Sequence, residues 1–518
     1  MLPETARIGR QRWFSPKQQH CEVVVIGAGV VGATIYRRLS EAGYQVVLID
    51  RHDVGGGASQ GSANLIWGGL LYLAKGRLDE VVRWSRARDA LLAQPGVMPL
   101  TCSYRFDPRQ RHPAVVRTAL FAYWLLGGCR GPRPHTQHGA VHFQEALLAV
   151  PDARWTWQQL AAVPAQSQSQ VVTWSRIDTI SVTATGWQLD VHDQLDGLTT
   201  NLHATLVINA AGAWAGAVDA LAGIDHGWDM IASRGVSLVL AGSDERTENL
   251  EVMKNTARNA VMVEHPQVRD VLSLVPFPGA DAYIWGSTET LTSSADAALV
   301  PTEADVVELI RLHRQLIGPL PKERILAVRC GLRALAVRRG VVPQRSQDLT
   351  RRFRLLSSRP DWVTIIGGKL TGSEAIAKKM VAKTAQQLGR RTPLTSVPIS
   401  SESAIPMIHY PGIPSGVIDP EWCRDHEHCW TLSCWLRRRT AIAQVIPRGG
   451  LGQHEEHRQR LEAIARIFHG DDAVAVVAAY AREIALSDER LNAAWNSAQG
   501  PVLLHHQCPS ITPIRPSL

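Results

Sequence analysis

The chain has 518 residues, 45% of them apolar and 20% charged, and a formal net charge of +8. These values fit a globular protein of roughly three domains at ~150 residues each and exclude a disordered, collagenous or disulfide-rich chain. Eight cysteines are too sparse for a disulfide framework, and residues 1–20 lack the apolar core of a signal peptide. No apolar run approaches the ~20 residues that span a bilayer, so the expected location is the cytoplasm, with a peripheral place at the inner membrane face left open. The dispersed basic charge reads as solvated surface or, more sharply, as a match for an anionic substrate or membrane surface.

Residues 21–53, CEVVVIGAGVVGATIYRRLSEAGYQVVLIDRHD, hold the first regular pattern. A β-branched run at 23–26 predicts a strand buried on both faces. Glycines follow at Gly27, Gly29 and Gly32, then a helical stripe of Ile35, Leu39 and Ala42 ended by Gly43. A second strand at 46–49 ends at Asp50, 23 residues after the first glycine, with Arg51 next. This is a strand–turn–helix–strand frame for a dinucleotide. Gly27 allows the tight turn, Gly29 lets backbone amides approach a pyrophosphate, and Gly32 lets helix and strand pack. The helix N-terminus offers unpaired N–H groups, and Asp50 can accept from a ribose hydroxyl.

The next stretch, 55–73, reads GGGASQGSANLIWGGLLYL, with six glycines and no charge. It is too glycine-rich for a core strand and too apolar for a solvated linker. The run TALFAYWLLGG at 118–128 reads as a core helix or as a segment that dips into a membrane interface. Residues 171–193 alternate as antiparallel strands do, and 204–223 read as a buried strand, a small-residue turn and a helix. A hairpin is expected around PGAD in 270–290 and a helix at 303–318. Residues 362–389 again read strand, glycine turn, helix, with Ile376, Met380, Thr384 and Leu388 in line. A Pro-, Ser- and Gly-rich linker is expected at 396–420 and helices at 421–500. Cys423, His426, His428, Cys429 and Cys434 match no zinc spacing, HHQC at 505–508 carries no more weight, and no metal is expected. No motif for nucleic acid is present.

In order, the glycine turn at 27–32, GASQGSANLIWGGLLYL, VPDAR at 150–154, VINAAGAWA at 207–215, GSTE at 286–289, GLRAL at 331–335 and IIGGKLT at 365–371 resemble the FAD-dependent glycerol-3-phosphate dehydrogenases, within the D-amino-acid-oxidase-like flavoproteins. The resemblance runs from about residue 20 to 390 and extends to the C-terminal helical part. It implies a mixed α/β fold: a Rossmann-type FAD-binding domain (about 20–100, 150–225 and 325–395) interleaved with an antiparallel-sheet substrate domain (about 100–150 and 225–325), and a small helical domain at 421–500. It also implies FAD as cofactor. Gly57, Ala58, Ser59, Ser62 and Asn64 would be small because the flavin lies on the backbone. Ala211 and Gly212 would pass near the cofactor, and Gly368, Lys369, Leu370 and Thr371 would place a helix N-terminus at the flavin's pyrimidine edge. Tyr72, Arg333 and Lys369 would face a small anionic substrate, Arg333 binding it with two parallel hydrogen bonds.

The chain departs from the family in that pocket. Trp67 replaces a histidine, Leu71 an arginine, Ser237 another histidine and, in a loose match, Gln347 an arginine; Arg234 is the cation expected to compensate. Three readings follow: an FAD-dependent dehydrogenase or oxidase of a small anionic alcohol, an amine or amino-acid oxidase on the same scaffold, and a flavin-binding protein that works through partners. The resemblance implies quinone or oxygen as electron acceptor; a peripheral membrane contact and a homodimer are further expectations.

Overall fold

The computed structural model describes residues 13–500 except 15–17, 74–75, 110, 138, 165, 243–258, 267–269, 293–298, 344–345, 347–348, 350–351 and 400–404. Gln347 and the 505–508 cluster lie outside the described residues.

Strand β1 (Gln18–Ile26) is followed by helix α1 (Val30–Glu41), which stops before Gly43 at φ +89°, and by strand β2 (Val46–Ile49). β1 pairs in parallel with β2 on one side, Val23 opposite Val46, and with Thr199–Asn209 on the other, Val23 opposite Leu206. Trp362–Ile366 and Gln170–Val172 extend the parallel set at its two sides. The alternation along β1 explains its continuous apolar run. Val23 and Val25 pack toward α1 and helix Ser373–Leu388, whereas Val24 and Ile26 pack toward a hairpin carrying Trp187 and Leu189. The 171–193 reading therefore needs a correction. Ser175–Thr183 and Gly186–Asp193 form an antiparallel hairpin, but Gln170–Val172 joins the parallel sheet beside β2.

A second sheet holds ten strands among the described residues, built on β3 (Trp228–Ala241) and β4 (Ile325–Arg338), which run antiparallel over their whole length. Helix Glu303–Leu316 covers one face through Val306, Leu309 and Ile310; Thr302 and Asp305 cap it reciprocally. Helix Pro113–Leu126 packs on this sheet with Val116, Leu120 and Tyr123 in the core beneath it and its other side exposed.

Within the stretch read as a linker, Met407–Tyr410 and Ile413–Ile418 pair as an antiparallel hairpin. Its Tyr410, Ile413 and Val417 enter the core formed by the C-terminal helices Arg458–His469 and Ala473–Ser497. Between them, Trp435–Arg439 is a single π-helical turn. Cys423 and Cys429 are buried in that core, His426 stacks on Trp422 at 4.7 Å, and no group of three or more His, Cys, Asp or Glu among the described residues could hold a metal ion.

Candidate active site

The turn after β1 is closed by steric necessity. Gly27 has φ +108°, and a Cβ there would lie 2.6 Å from the Ala210 carbonyl oxygen. A Cβ on Gly32 would lie 1.9 Å from the Gly27 carbonyl oxygen, so only hydrogen fits at either place. Val30 N–H, at the start of α1, donates to Ser59 Oγ at 3.1 Å, which ties the 55–64 segment to the helix N-terminus. Asp50 accepts from Ala28 N–H at 2.7 Å and from His52 N–H at 2.8 Å. Burial pushes its carboxyl up to about 6, although both amides act against the rise.

These groups border a cavity of about 670 Å³ between the two sheets. One end is flanked by Asp50, Arg51, Trp214 and Val218, with the Arg51 guanidinium 5.0 Å from the Trp214 ring centroid. A Cβ on Gly57 would lie 3.0 Å from the same indole. The other end is formed where three segments meet: 57–71, 331–335 on β4 and 367–371. Gly61 and Gly331 touch there backbone to backbone. The glycine cradle at the helix N-terminus and the acid after β2, both on the cavity wall, together fit a dinucleotide cofactor.

At the second end, Arg333 donates from Nη2 to Ser287 Oγ at 2.6 Å and from Nη1 to the Thr288 carbonyl at 3.2 Å. The Glu289 carboxylate lies 3.7 Å from its Nε. Gly235 makes room for it, since a Cβ there would come 2.6 Å from the guanidinium nitrogens. Burial lowers the Arg333 pKa from the usual arginine value, with the Asp270 carboxylate acting against the fall. Its side chain keeps 29% of its surface exposed toward the cavity. Ser287 and Glu289 lay inside the GSTE motif but carried no assigned role; they orient Arg333 through pairing distant in sequence.

Most of the expected site residues converge. Gly27, Gly29, Asp50, Arg51, Gly57, Ala58, Ser59 and Ser62 line the cavity. Ala211, Gly212, Arg333, Gly368, Lys369, Leu370 and Thr371 do so as well. So do Trp67, Leu71 and Ser237, which the resemblance marks as departures. Four expected residues do not. Gly32 acts one layer behind, by packing. Asn64 is buried with φ +60°, a conformation its side chain tolerates, and its carbonyl accepts from Leu148 N–H at 2.8 Å. Tyr72 sits behind Lys369, whose Nζ lies 5.0 Å from the ring centroid.

Arg234 is a correction. It is paired with Leu332 across β3 and β4, whereas Arg333 is paired with Ser233, so the two arginines project from opposite faces of the sheet. Arg234 donates from Nε to Asp305 Oδ2 at 2.9 Å, on the face covered by helix Glu303–Leu316, and cannot stand in for a lost cavity cation.

The cofactor-side segment is also anchored from the C-terminal part. Asp53 is fully buried and accepts from Arg439 at 2.8 and 2.9 Å and from Arg438 at 2.9 Å. Arg438 reaches Gln60 Oε1 at 3.1 Å, and Glu427 lies 2.9 Å from Arg439 Nε. Burial alone would raise the Asp53 carboxyl; the two guanidiniums outweigh it and hold the group at about 2. The π-helical turn at 435–439 is what presents both arginines to one carboxylate.

Comparison with known proteins agrees with this geometry. Residues 22–359 match the FAD-dependent oxidoreductase family. The chain is 24% identical over 394 residues to a glycerol-3-phosphate dehydrogenase of Mycobacterium leprae, an alignment covering 70% of this chain and 63% of that protein. In fold it is similar to the glycerol-3-phosphate dehydrogenase of Bacillus halodurans complexed with FAD, with a TM-score of 0.57, 18% identity and 95% and 96% of the two chains covered. It is likewise similar to the L-α-glycerophosphate oxidase of Mycoplasma pneumoniae with FAD bound, at a TM-score of 0.55, 15% identity, and 73% and 99% covered. With its glycine turn, the acid after β2 and its cavity in place, the chain belongs to the FAD-dependent oxidoreductase family, with FAD as its cofactor.

Proposed function

We propose that this FAD-dependent oxidoreductase oxidises a small anionic alcohol related to glycerol 3-phosphate, in a pocket rebuilt around Arg333. The observation that carries the reading is Arg333 itself: a partly desolvated guanidinium, oriented by Ser287 and Thr288, turned toward the cavity end where 57–71 and 367–371 meet. Such a group suits a carboxylate or phosphate. FAD, when bound, supplies the two-electron acceptor, which quinone or oxygen then reoxidises. Gly27, Gly29 and the α1 N-terminus would hold its pyrophosphate, and Asp50 its ribose. Lys369 adds positive charge near the start of helix Ser373–Leu388. Trp67 and Leu71 exclude water around the substrate's carbon chain, so selectivity should shift toward anions with a less polar body than glycerol.

One observation favours a second reading, oxidation of an amine or amino acid. Among the described lining residues the only histidine is His52, at the Arg51 end. Alcohol oxidation needs a group to take the hydroxyl proton, whereas a neutral amine does not. Anaerobic addition of sn-glycerol 3-phosphate and related hydroxy acids to the FAD-loaded protein tests the proposal. Bleaching of the flavin band by an anionic alcohol is expected. Bleaching by amino acids alone would establish the second reading, and no bleaching by either class would overturn both.

A further inference from the structure

Trp67 and Leu71 line the cavity, but Gly68 between them turns away from it into a polar cage. Its N–H donates at 2.8 Å to Glu145 Oε2, on strand Ala140–Leu148. Its carbonyl accepts at 3.0 Å from Ser85 Oγ, on helix Leu78–Leu91. A Cβ on Gly68 would collide with the Tyr123 hydroxyl and lie 2.7 Å from Arg88 Nη1, so both groups rest against its Cα. Gly69 follows with φ +98°, and a Cβ there would lie 3.2 Å from Trp84 Cβ. Glu145 is wholly buried and accepts two further hydrogen bonds, from the Tyr123 hydroxyl at 2.6 Å and from Arg88 Nη1 at 3.1 Å. Arg88 is itself held by Asp89 at 2.9 Å and by the Gln144 carbonyl at 3.3 Å.

Taking a carboxylate and a guanidinium out of water is costly, and apolar side chains of similar volume would fill the same space without that cost. What the polar cage adds is direction. One bond to the Gly68 N–H and one to its carbonyl fix the peptide planes on both sides of that residue, which apolar packing alone would leave free to turn. We propose that Glu145 and Ser85 are positioning residues for the substrate wall: they clamp Gly68 so that Trp67 and Leu71 face the cavity. Neither lines the cavity itself, so they act through the wall and not on the substrate. The cluster then governs which anion fits more than how fast it reacts. The inference rests on the reading of this cavity end as the substrate pocket.

The test uses the FAD-loaded full chain labelled with 5-fluorotryptophan, in which the Trp67 resonance is identified by its loss in Trp67→Phe. Glu145→Gln keeps the shape and removes the charge; Ser85→Ala removes the neutral donor. Both should shift or split the Trp67 resonance and leave those of Trp285 and Trp435 in place, a selectivity that a general loss of stability would not produce. With sn-glycerol 3-phosphate, Glu145→Gln should raise KM roughly tenfold and change kcat by less than about twofold, the pattern of lost uniform binding. In a chain already carrying Trp67→Ala and Leu71→Ala, the same substitution should change KM no further, since its effect runs through those side chains. Should Glu145→Gln lose FAD, Ser85→Ala carries the same comparisons. A Trp67 resonance unmoved by both substitutions overturns the proposal, as does a KM effect that persists without Trp67 and Leu71. A Trp67 resonance that moves while no anionic alcohol reduces the flavin upholds the clamp and overturns only the substrate reading.

Discussion

Gly61 and Gly331 leave no space for each other's side chains: a Cβ on Gly61 would lie 2.6 Å from the Gly331 Cα, and one on Gly331 would lie 2.9 Å from the Gly61 Cα. The contact presses the 57–71 segment onto β4 two residues from Arg333. Gly331→Ala should therefore separate the two and cost about 1–3 kcal/mol, the usual range for an overpacked site. Lower bound FAD per chain and a lower thermal midpoint of the holoprotein are the expected readouts. An unchanged FAD content would show that the contact does not shape the cofactor site.

Arg333→Met keeps the side chain's bulk and removes the charge. The flavin spectrum should persist while the KM for the anionic substrate rises roughly ten- to a hundredfold, as expected for a charge-assisted hydrogen bond of ~1.5–3 kcal/mol. Steady-state reduction kinetics measure this. Arg234→Met is the contrast. It should disturb the Asp305 cap and stability but leave the KM in place.

FAD affinity should depend on Asp50. Its carboxyl in the folded chain titrates near 6, above the usual 3.8. A ribose hydroxyl that donates to the carboxylate favours the charged form, so the holoprotein holds fewer protons there than the apoprotein. Binding is then tightest above pH 6 and weakens as pH falls through that value. Reconstitution of the apoprotein with FAD from pH 8 to pH 5 checks the slope. Asp50→Asn should flatten it.

Asp53, also buried, is shifted in the opposite direction, below the usual carboxylate range. Held at about 2 in the folded chain against 3.8 ordinarily, it contributes about 2 kcal/mol that is fully present above pH ~4 and lost as pH falls toward 2. Asp53→Asn removes the carboxylate from between Arg438 and Arg439 and leaves both cations buried. A loss of about 3–5 kcal/mol is expected, read as a lower urea midpoint. Replacing Arg438 alone should cost less, because Arg439 still holds the carboxylate.

Legibility in the sequence followed the range of the interaction. The β1–α1–β2 frame was readable because a strand covered on both faces must be apolar throughout, and because Gly27 and Gly32 sit where no other residue fits. Arg333 was readable as a cavity cation. Arg234 was not placed correctly because the sequence does not say which parity of β3 faces the cavity; that depends on the register Ser233–Arg333 and Arg234–Leu332. The 407–418 hairpin was hidden by the glycines and prolines around it, although Tyr410 and Val417 carry its buried side. Ser287 and Glu289 acquire a role only once β4 lies against β3. The Asp53–Arg439 contact spans 386 residues and leaves no local trace.

That span has a consequence for biosynthesis. Asp53 leaves the ribosome 386 residues before Arg439, a delay on the order of tens of seconds at ~5–20 residues per second. During that interval the FAD sheet has its first strands but the carboxylate has no cation to meet, and the 53–61 segment is held by its own turn and by the bonds to Ala28 and Val30. Stable retention of FAD is therefore expected to begin only when synthesis has passed the π-helical turn, and a nascent chain arrested before residue 435 should emerge colourless.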